Sequence, residues 1–320
     1  VSGRVTNCES WNETSWTEVN DIPAATMYVA AAGATGSAVL QTGGSIAGNA
    51  HAAECASFDG TNWTVVADLN TARDQMEGSG TTASAIAIGG QAAPEYTVKA
   101  ITEFWDGSTW SEVGDLSTAR KMAAGNGSSS SALLAGGNSP TARAHTEEWD
   151  FTSTLAAGTW ASGGNLNAAR FGLWGAGTQT AGLAGGGHPN AKEKTEEYNG
   201  TSWTEGGDQG DTGKLYRKGS GTQTAAICFG GEPPVTSVES YNGSSWSELT
   251  AMNTATFKHA ACGTQTAFMK FGGTDGRITN NEIWNGSSWT EVGDLPTGTS
   301  EMDGAGTTTA ALCIGGATPG

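Results

Sequence analysis

The chain has 320 residues and carries 32 acidic against 15 basic side chains, a net charge of −17 at neutral pH. This excess of negative charge argues against a nucleic acid or an anionic membrane surface as partner, because both attract clustered Lys and Arg. No apolar run approaches the roughly 18 residues that a membrane-spanning helix needs, and 49 glycines with 12 tryptophans indicate densely turned β structure.

An aromatic residue followed shortly by Trp recurs seven times along the chain. The copies are Trp11–Trp16, Phe58–Trp63, Trp105–Trp110, Trp149–Trp160, Tyr198–Trp203, Tyr241–Trp246 and Trp284–Trp289. In six copies the spacing is five residues, and five of those six carry Asn-Gly or Asp-Gly directly after the aromatic. Such dipeptides supply the two positive φ angles of a type I′ turn, so each copy predicts two strands joined by a tight hairpin.

A second marker, Gly-Gly, alternates with the first and ends another predicted strand. It occurs at 43–44, 89–90, 136–137, 186–187, 230–231, 272–273 and 315–316. Nine residues before all but the first pair stands another Gly, in segments such as Gly177-Thr-Gln-Thr180 that predict a second hairpin turn. Four antiparallel strands in each repeat of 43 to 50 residues are typical of a β-propeller blade.

The two ends of the chain predict how the ring closes. Residues 1–19 supply the third and fourth strands of a blade, and the chain finishes with a first and a second strand near Gly316. The sequence therefore predicts an all-β fold, one seven-bladed propeller over residues 1–320, whose last blade combines both ends. The predicted blades are approximately 24–66, 67–113, 114–163, 164–206, 207–249, 250–292, and 293–320 closing with 1–23. Because residue 1 is Val and not Met, we expect a part of a longer polypeptide.

Gly-Gly, then an aromatic-x-Gly segment, then Trp, with Arg before the next inner strand, resembles the kelch repeat over essentially the whole chain. Gly-Gly and Trp are present in all seven units, whereas the Arg is present in three. The amino-acid sequence of the repeat, as in Tyr198-Asn-Gly-Thr-Ser-Trp203, resembles that of kelch-like structural proteins of tailed bacteriophages, particularly marine ones. The resemblance implies a virion protein, assembled in the host cytoplasm, whose partners are other virion proteins or a glycan or protein of the host surface. It also implies a homo-oligomer in the particle.

Acidic residues and cysteines recur with the repeat. We expect two sets of Glu to lie on solvated outer strands that resist edge-to-edge pairing, and an acidic ligand-binding surface is the alternative. The sets are Glu103, Glu147, Glu196, Glu239 and Glu282 before the turn, and Glu18, Glu112, Glu205, Glu248 and Glu291 after it. The five cysteines show neither disulfide nor metal-binding spacing, so we expect free thiols.

Three arginines and one tryptophan are candidate binding residues near the propeller axis. Arg73, Arg120 and Arg170 each precede an inner strand, and three converging guanidinium groups could clamp a carboxylate or a phosphate. Alternatively, each ties a connection between blades to carbonyl groups or to acids such as Asp68 and Asp115. Trp174 stands in an inner strand where other repeats have small residues, which makes it a candidate for a contact in the channel.

The loops after Gly-Gly vary most, share one face of the ring and are therefore expected to bind a partner or an acidic glycan. Drift in unimportant loops is the alternative. Their candidate residues are His145, His188, Lys192, Lys194 and Arg277. On the opposite face, the insertion at 150–158 offers Phe151 and Leu155 either as an apolar docking knob or as residues that fold back.

No catalytic constellation emerges from the sequence. The four histidines show no metal-ligand spacing, and the Gly-rich segments are hairpin turns, not phosphate loops before helices. We therefore expect a non-enzymatic module without cofactor or metal, active in structure or adhesion. The alternatives are a secreted, extracellular carbohydrate-binding propeller and, less favoured, an oxidase or sugar-processing enzyme.

Overall fold

Seven antiparallel sheets of four strands each are arranged in a ring, which makes the protein a seven-bladed β-propeller. The computed structural model describes residues 3–94, 96–151, 158–189, 193–210, 215–273 and 277–318. The innermost strand of each blade contacts the innermost strands of its two neighbours, and blade 7 contacts blade 1, so the ring is closed. Among the described residues, no helix is long and apolar enough to span a bilayer.

The two inner strands of each blade form a hairpin beside the axis. The innermost strands of blades 1 to 7 are Ala30–Thr35, Glu77–Thr81, Ala124–Gly127, Trp174–Thr178, Lys218–Thr222, Ala260–Thr264 and Asp303–Thr307. The second strands are Ala38–Ile46, Ser84–Ile88, Ser131–Ala135, Ala181–Gly185, Ala225–Phe229, Ala267–Phe271 and Ala310–Ile314.

The two outer strands carry the aromatic pair of the repeat. The third strands are Ala50–Phe58, Thr102–Trp105, Thr146–Asp150, Thr195–Tyr198, Val238–Tyr241, Asn281–Trp284 and, in blade 7, Cys8–Trp11. The outermost strands are Trp63–Val66, Trp110–Glu112, Thr159–Ser162, Trp203–Glu205, Trp246–Glu248, Trp289–Val292 and, in blade 7, Trp16–Val19. Two short ladders, Gly3–Arg4 with Ala317–Thr318 and Gln91–Ala92 with Thr97–Val98, and a 3₁₀ turn at Ala47–Asn49 complete the described elements.

Blade 7 is built from both ends of the chain, as the sequence predicts. Its strand order runs from Asp303–Thr307 through Ala310–Ile314 to Cys8–Trp11 and Trp16–Val19. Cys8 stands opposite Ile314, and Gly3–Arg4 adds a further ladder to Ala317–Thr318. The ends therefore leave no unpaired edge between the second and third strands of this blade.

The outer hairpin turns differ from the predicted type I′ geometry. Phe58 pairs directly with Trp63, which leaves a connection of four residues, and only Gly60 in it has a positive φ. The carboxylate of Asp59 accepts hydrogen bonds from the backbone N–H groups of Thr61 and Asn62, both at 2.8 Å. The type I′ prediction was wrong because the Asp or Asn side chain organises a longer turn by itself.

The aromatic pairs pack in the spaces between blades. Trp203, of which 7% is exposed, donates its indole N–H to Thr146 Oγ1 in the preceding blade at 2.8 Å. Trp16 of blade 7 lies 5.0 Å, centroid to centroid, from Phe271 of blade 6. All five cysteines are buried in the same layers, and none is in a disulfide. The hydrophobic core is consequently a ring of inter-blade layers and not one central cluster.

Candidate functional site

One residue per blade surrounds the mouth of the axial channel with the same unusual backbone conformation. Each of them lies two residues before the innermost strand of its blade, on the face where the long loops lie. Their φ angles range from 52° to 63°. They are Tyr28, Gln75, Met122, Gly172, Tyr216, Lys258 and Glu301, and we call them the mouth ring.

Backbone hydrogen bonds link the mouth ring from blade to blade. The N–H of Gln75 donates to the carbonyl of Tyr28 at 3.4 Å, Met122 to Gln75 at 3.3 Å, and Gly172 to Met122 at 3.4 Å. Glu301 donates in the same way to Lys258 at 3.0 Å. These four backbone hydrogen bonds join blades 1 to 4 and blades 6 and 7 at the mouth, and they do not depend on the side chains.

Charged side chains of the mouth ring interact with one another. Lys258 Nζ lies 2.5 Å from Glu301 Oε1, and Tyr28 donates its hydroxyl to Glu301. Burial, with the nearby charge of Glu301, raises the pKa of Tyr28. Blades 6, 7 and 1 therefore contribute one connected polar group to the rim.

A second polar group lies at the rim on blades 1 to 3. His51 Nδ1 lies 3.2 Å from Asp74 Oδ2, and the His51 ring meets Tyr96 edge-on. Beside them, Lys121 donates to Gln91 Oε1 at 2.5 Å. About half of Tyr96 is exposed, which is unusual among the large hydrophobic side chains of the described residues.

The mouth ring and the starts of the innermost strands line a cavity of about 550 Å³. This is within the usual range for small-molecule pockets. Its wall includes Glu77, Lys218 and Asp303, each the first residue of an innermost strand and each accessible from the cavity. Burial raises the pKa of Glu77 to about 8, with the charge of Asp303 adding to the effect and Lys218 opposing it. None of the three was a candidate from the sequence, because their repeat position is otherwise occupied by Ala or Trp.

The three predicted arginines do not meet at the axis. Each is at most 1% exposed and forms an ion pair with a Glu on the third strand of the blade that follows it. The pairs are Arg73 with Glu103, Arg120 with Glu147, and Arg170 with Glu196. The N–O distances are 2.8, 2.6 and 2.6 Å. No guanidinium of this set faces the channel, and the geometry is that of a tie between blades, with Glu as the carboxylate in place of the expected Asp.

The Arg120 site shows how the tie is made. Arg120 Nη1 donates to the carbonyl of His145 at 2.9 Å, and the Ser117 N–H donates to Glu147 Oε2 at 2.7 Å. The carbonyl of Arg120 itself accepts the N–H of Gly90 in the preceding blade at 3.0 Å. A Cβ on Gly89 would lie 2.4 Å from that carbonyl, so the Gly-Gly pair permits the close approach. Burial lowers the pKa of Arg120 to about 10, and Glu147 opposes the shift.

The prediction of a solvated role for the first Glu set was wrong. Glu103, Glu147, Glu196, Glu239 and Glu282 are each at most 3% exposed, because they lie two residues before a buried aromatic and share its face of the strand. Glu18, Glu112, Glu205, Glu248 and Glu291 are exposed, as expected. Arg217 pairs with Glu239 at 2.6 Å and Lys270 with Glu282 at 3.4 Å, so the cation comes from other positions in blades 5 and 6.

Glu9 is the equivalent carboxyl in blade 7, and no ion pair with a described residue reaches it. The Thr297 N–H donates to it, but burial dominates and raises its pKa to about 8, with Glu18 adding to the shift. Its folded-state pKa therefore lies above the ordinary value of about 4.5.

We expect the stability of the protein to fall as the pH rises from about 4.5 to 8, because the unfolded chain releases the Glu9 proton first. The variant Glu9→Gln removes this contribution, and its free energy of unfolding at pH 9 should exceed that of the parent by about 2–4 kcal/mol. Urea titrations at pH 5, 7 and 9 measure the effect. Glu18→Gln, an exposed neighbour, is the matched control, and equal pH profiles for the parent and Glu9→Gln would contradict the expectation.

Trp174 occupies a slot between blades 4 and 5. It is 4% exposed, and its ring lies between Gly185 of its own blade and Gly219 of the next, where a Cβ would come within 2.3 and 2.4 Å. Trp246 meets it edge-on at 5.6 Å. The indole also contributes to the wall of the axial cavity. The glycines explain why a large residue fits here, and the expected contact in the channel stays a prediction.

The candidate loop residues come from three different repeats: His145 from blade 3, His188, Lys192 and Lys194 from blade 4, and Arg277 from blade 6. His145 and His188 are half-buried; the carbonyl of His145 accepts from Arg120, and the His188 ring packs on Phe171 at 5.3 Å. Lys194 pairs with Glu205 and Asp208, which raise its pKa. Arg277 is half-buried with a φ of 55°, and Lys192 lies outside the described residues. No shared cluster of these five is present in the described part of the chain.

The insertion begins with a buried contact and not with an exposed knob. Phe151 stacks on Phe104 with ring centroids 4.6 Å apart and also faces Trp149. Of the two open interpretations, the structure places Phe151 folded back against blades 2 and 3. Leu155 lies outside the described residues.

Comparisons with known proteins leave the classification at the level of the fold. No model of a protein family matches the chain, and no curated protein sequence matches it. Within the described ranges, no group of three or more His, Cys, Asp or Glu side chains is placed to hold a metal ion. The mouth ring and the cavity behind it are therefore the features from which a function can be argued.

Proposed function

We propose that the chain is a non-enzymatic binding module of a bacteriophage virion, which attaches to a neighbouring virion protein or to the host surface through its long-loop face. The fold is that of a β-propeller. The kelch type and the virion origin rest on the style of the repeat in the sequence. The choice of face rests on the mouth ring.

The mouth ring is the main support for this choice, because its seven residues share one backbone conformation and differ in side chain. A left-handed conformation costs a non-glycine residue on the order of 1–3 kcal/mol, and such positions cluster at ligand-binding sites. Only Gly172 uses the residue that avoids this cost; the other six positions hold aromatic, amide, thioether, cationic and anionic side chains. A surface needed only for folding would favour Gly at each position, so the side chains favour recognition.

The opposite face supports the same choice by contrast. Its outer turns repeat one solution, in which Asp59, Asp106, Asn199, Asn242 or Asn285 accepts hydrogen bonds from the two following backbone N–H groups of its turn. These turns are explained by folding alone. A closed ring without free sheet edges would also suit a protein displayed on a particle.

Replacing two mouth residues with Gly provides a test that spares the backbone. Gln75→Gly with Tyr216→Gly introduces at two positions the residue that blade 4 already has at Gly172, so the fold should persist. Labelled protein is titrated onto intact candidate host cells, their extracted polysaccharides and isolated virion proteins. We expect saturable binding to one of these and a loss of at least tenfold in affinity for the variant.

Thr201→Ala with Ser244→Ala, two exposed turn residues of the opposite face, is the matched control. Undiminished binding by the mouth variant, together with a loss for this control, would contradict the choice of face. Binding to host polysaccharide or host cells supports adhesion, whereas binding to virion proteins alone supports a scaffold role.

A further inference from the structure

Three charged groups face the axial cavity at one level. Glu77 of blade 2, Lys218 of blade 5 and Asp303 of blade 7 are structurally equivalent residues, each the first of its innermost strand. The two carboxyl groups flank blade 1, and Lys218 enters from the far side of the ring. The two carboxyl groups therefore lie on one side of the cavity and the cation on the other.

These opposite charges do not close into ion pairs. No salt bridge or hydrogen bond within the described residues joins Lys218 to Glu77 or Asp303, although the charge of Lys218 opposes the rise in the pKa of both carboxyl groups. Asp303 Oδ1 accepts the N–H of Gly304 at 2.9 Å, which holds its carboxylate in place. The Glu77 side chain lies along Gly125 of blade 3. The rigid inner strands thus keep the charges apart.

The two carboxyl groups are costly to ionise as long as no cation reaches them. Burial has removed hydration from Glu77 and Asp303, and neither forms an ion pair within the described residues, whereas Lys218 is exposed. The raised pKa values of Glu77 and Asp303 have the same cause, since burial is the largest effect on both. A ligand with an ammonium group near the carboxyl groups would stabilise their ionised form, and a carboxylate at its other end would pair with Lys218.

We infer that the axial cavity is a binding site for a compact zwitterion, a small molecule that carries a primary ammonium and a carboxylate, as amino acids do. Glu77 and Asp303 hold the ammonium group, and Lys218 holds the carboxylate. The cavity of about 550 Å³ accommodates a small molecule, and entry is through the mouth ring. This site lies inside the ring and is independent of adhesion by the rim.

A homologous series of ω-amino acids from glycine to 8-aminooctanoate tests the inference, because it varies only the distance between the two charges. Isothermal titration calorimetry of the intact protein is run with each member and with n-alkylamines and n-alkanoates of matched length. We expect one length to bind best and to exceed both monofunctional controls by at least tenfold.

Two variants assign the ends of the ligand. In Lys218→Met, the best ω-amino acid should lose its advantage over the matched alkylamine. In Glu77→Gln with Asp303→Asn, it should lose its advantage over the matched alkanoate. Lys99→Met, on the same face but outside the cavity wall, should bind like the parent. Thermal melting of each variant verifies the fold, which these cavity-facing changes should leave intact.

Three results would overturn the inference. One is the absence of any length preference; another is an alkylamine that binds as tightly as the best ω-amino acid, which would indicate a simple cation site. The third is an equal effect of Lys218→Met and Lys99→Met. Failure of rim-mediated adhesion would leave these measurements unaffected.

Discussion

Deletion of residues 1–22 should abolish the cooperative unfolding transition of the parent protein. The deletion removes Cys8–Trp11 and Trp16–Val19, so blade 7 keeps two of its four strands. Trp11 is 1% and Trp16 7% exposed. Burial of each indole removes about 150–250 Å² from water, or about 4–6 kcal/mol at 25 cal/mol per Å². Together they rival the typical 5–15 kcal/mol stability of a whole domain. Differential scanning calorimetry of the deletion variant measures the loss.

Complementation distinguishes ring closure from a general effect of truncation. A synthetic peptide of residues 1–22, added in trans, should restore a cooperative transition whose midpoint rises with peptide concentration. The same peptide with Trp11→Ala and Trp16→Ala is the control and should not restore it. A truncated protein that melts at the parent temperature without peptide would refute closure by these strands.

The architecture could be predicted from the sequence because every blade repeats the same local signals. Seven aromatic–Trp pairs and seven Gly-Gly pairs give the blade count, and the half-repeats at the two ends give the closure. The turn type could not be predicted from the dipeptide, since the Asp59 side chain competes with the backbone for the N–H groups of its turn.

The buried acids were predictable in principle. Glu103 precedes the buried Trp105 by two residues, and strand residues two apart share a face. The usual association of Glu with solvent misled the prediction, because both faces of a propeller blade pack against neighbouring blades. The partner cations were harder to predict. Arg73, Arg217 and Lys270 reach equivalent carboxylates from three different repeat positions, a convergence that exists only in three dimensions.

The titratable residues of the cavity wall could not be predicted from the repeat pattern for a related reason. Glu77, Lys218 and Asp303 occupy one repeat position, but they are far apart in the chain and have no common residue type. A repeat pattern reveals the positions at which the same residue recurs. The binding features proposed for this protein are instead the places where equivalent backbone positions carry different side chains.

Blade 1 has the same connection to its neighbour without a buried ion pair. At the positions of Arg120 and Glu147 it has Thr26 and Ala56, and the carbonyl of Thr26 still accepts the N–H of Gly316 from blade 7 at 3.1 Å. The connection between blades is thus compatible with a neutral pair. The double variant Arg120→Thr with Glu147→Ala reproduces this natural combination in blade 3.

We expect the single variant Arg120→Thr to lower the free energy of unfolding by about 3–5 kcal/mol at pH 8, because it leaves Glu147 buried without its cation. The loss should be smaller at pH 5, since the unpaired carboxyl can take up a proton there, as Glu9 does in blade 7.

The single variant Glu147→Ala instead leaves the Arg120 guanidinium buried without its carboxylate. The resulting loss in free energy of unfolding should therefore not become smaller toward low pH. In urea titrations, the double variant should be more stable than either single variant, with a coupling energy of about 2 kcal/mol or more. Additive losses, or a loss below about 1 kcal/mol for Arg120→Thr, would show that the ion pair does not hold blades 2 and 3 together.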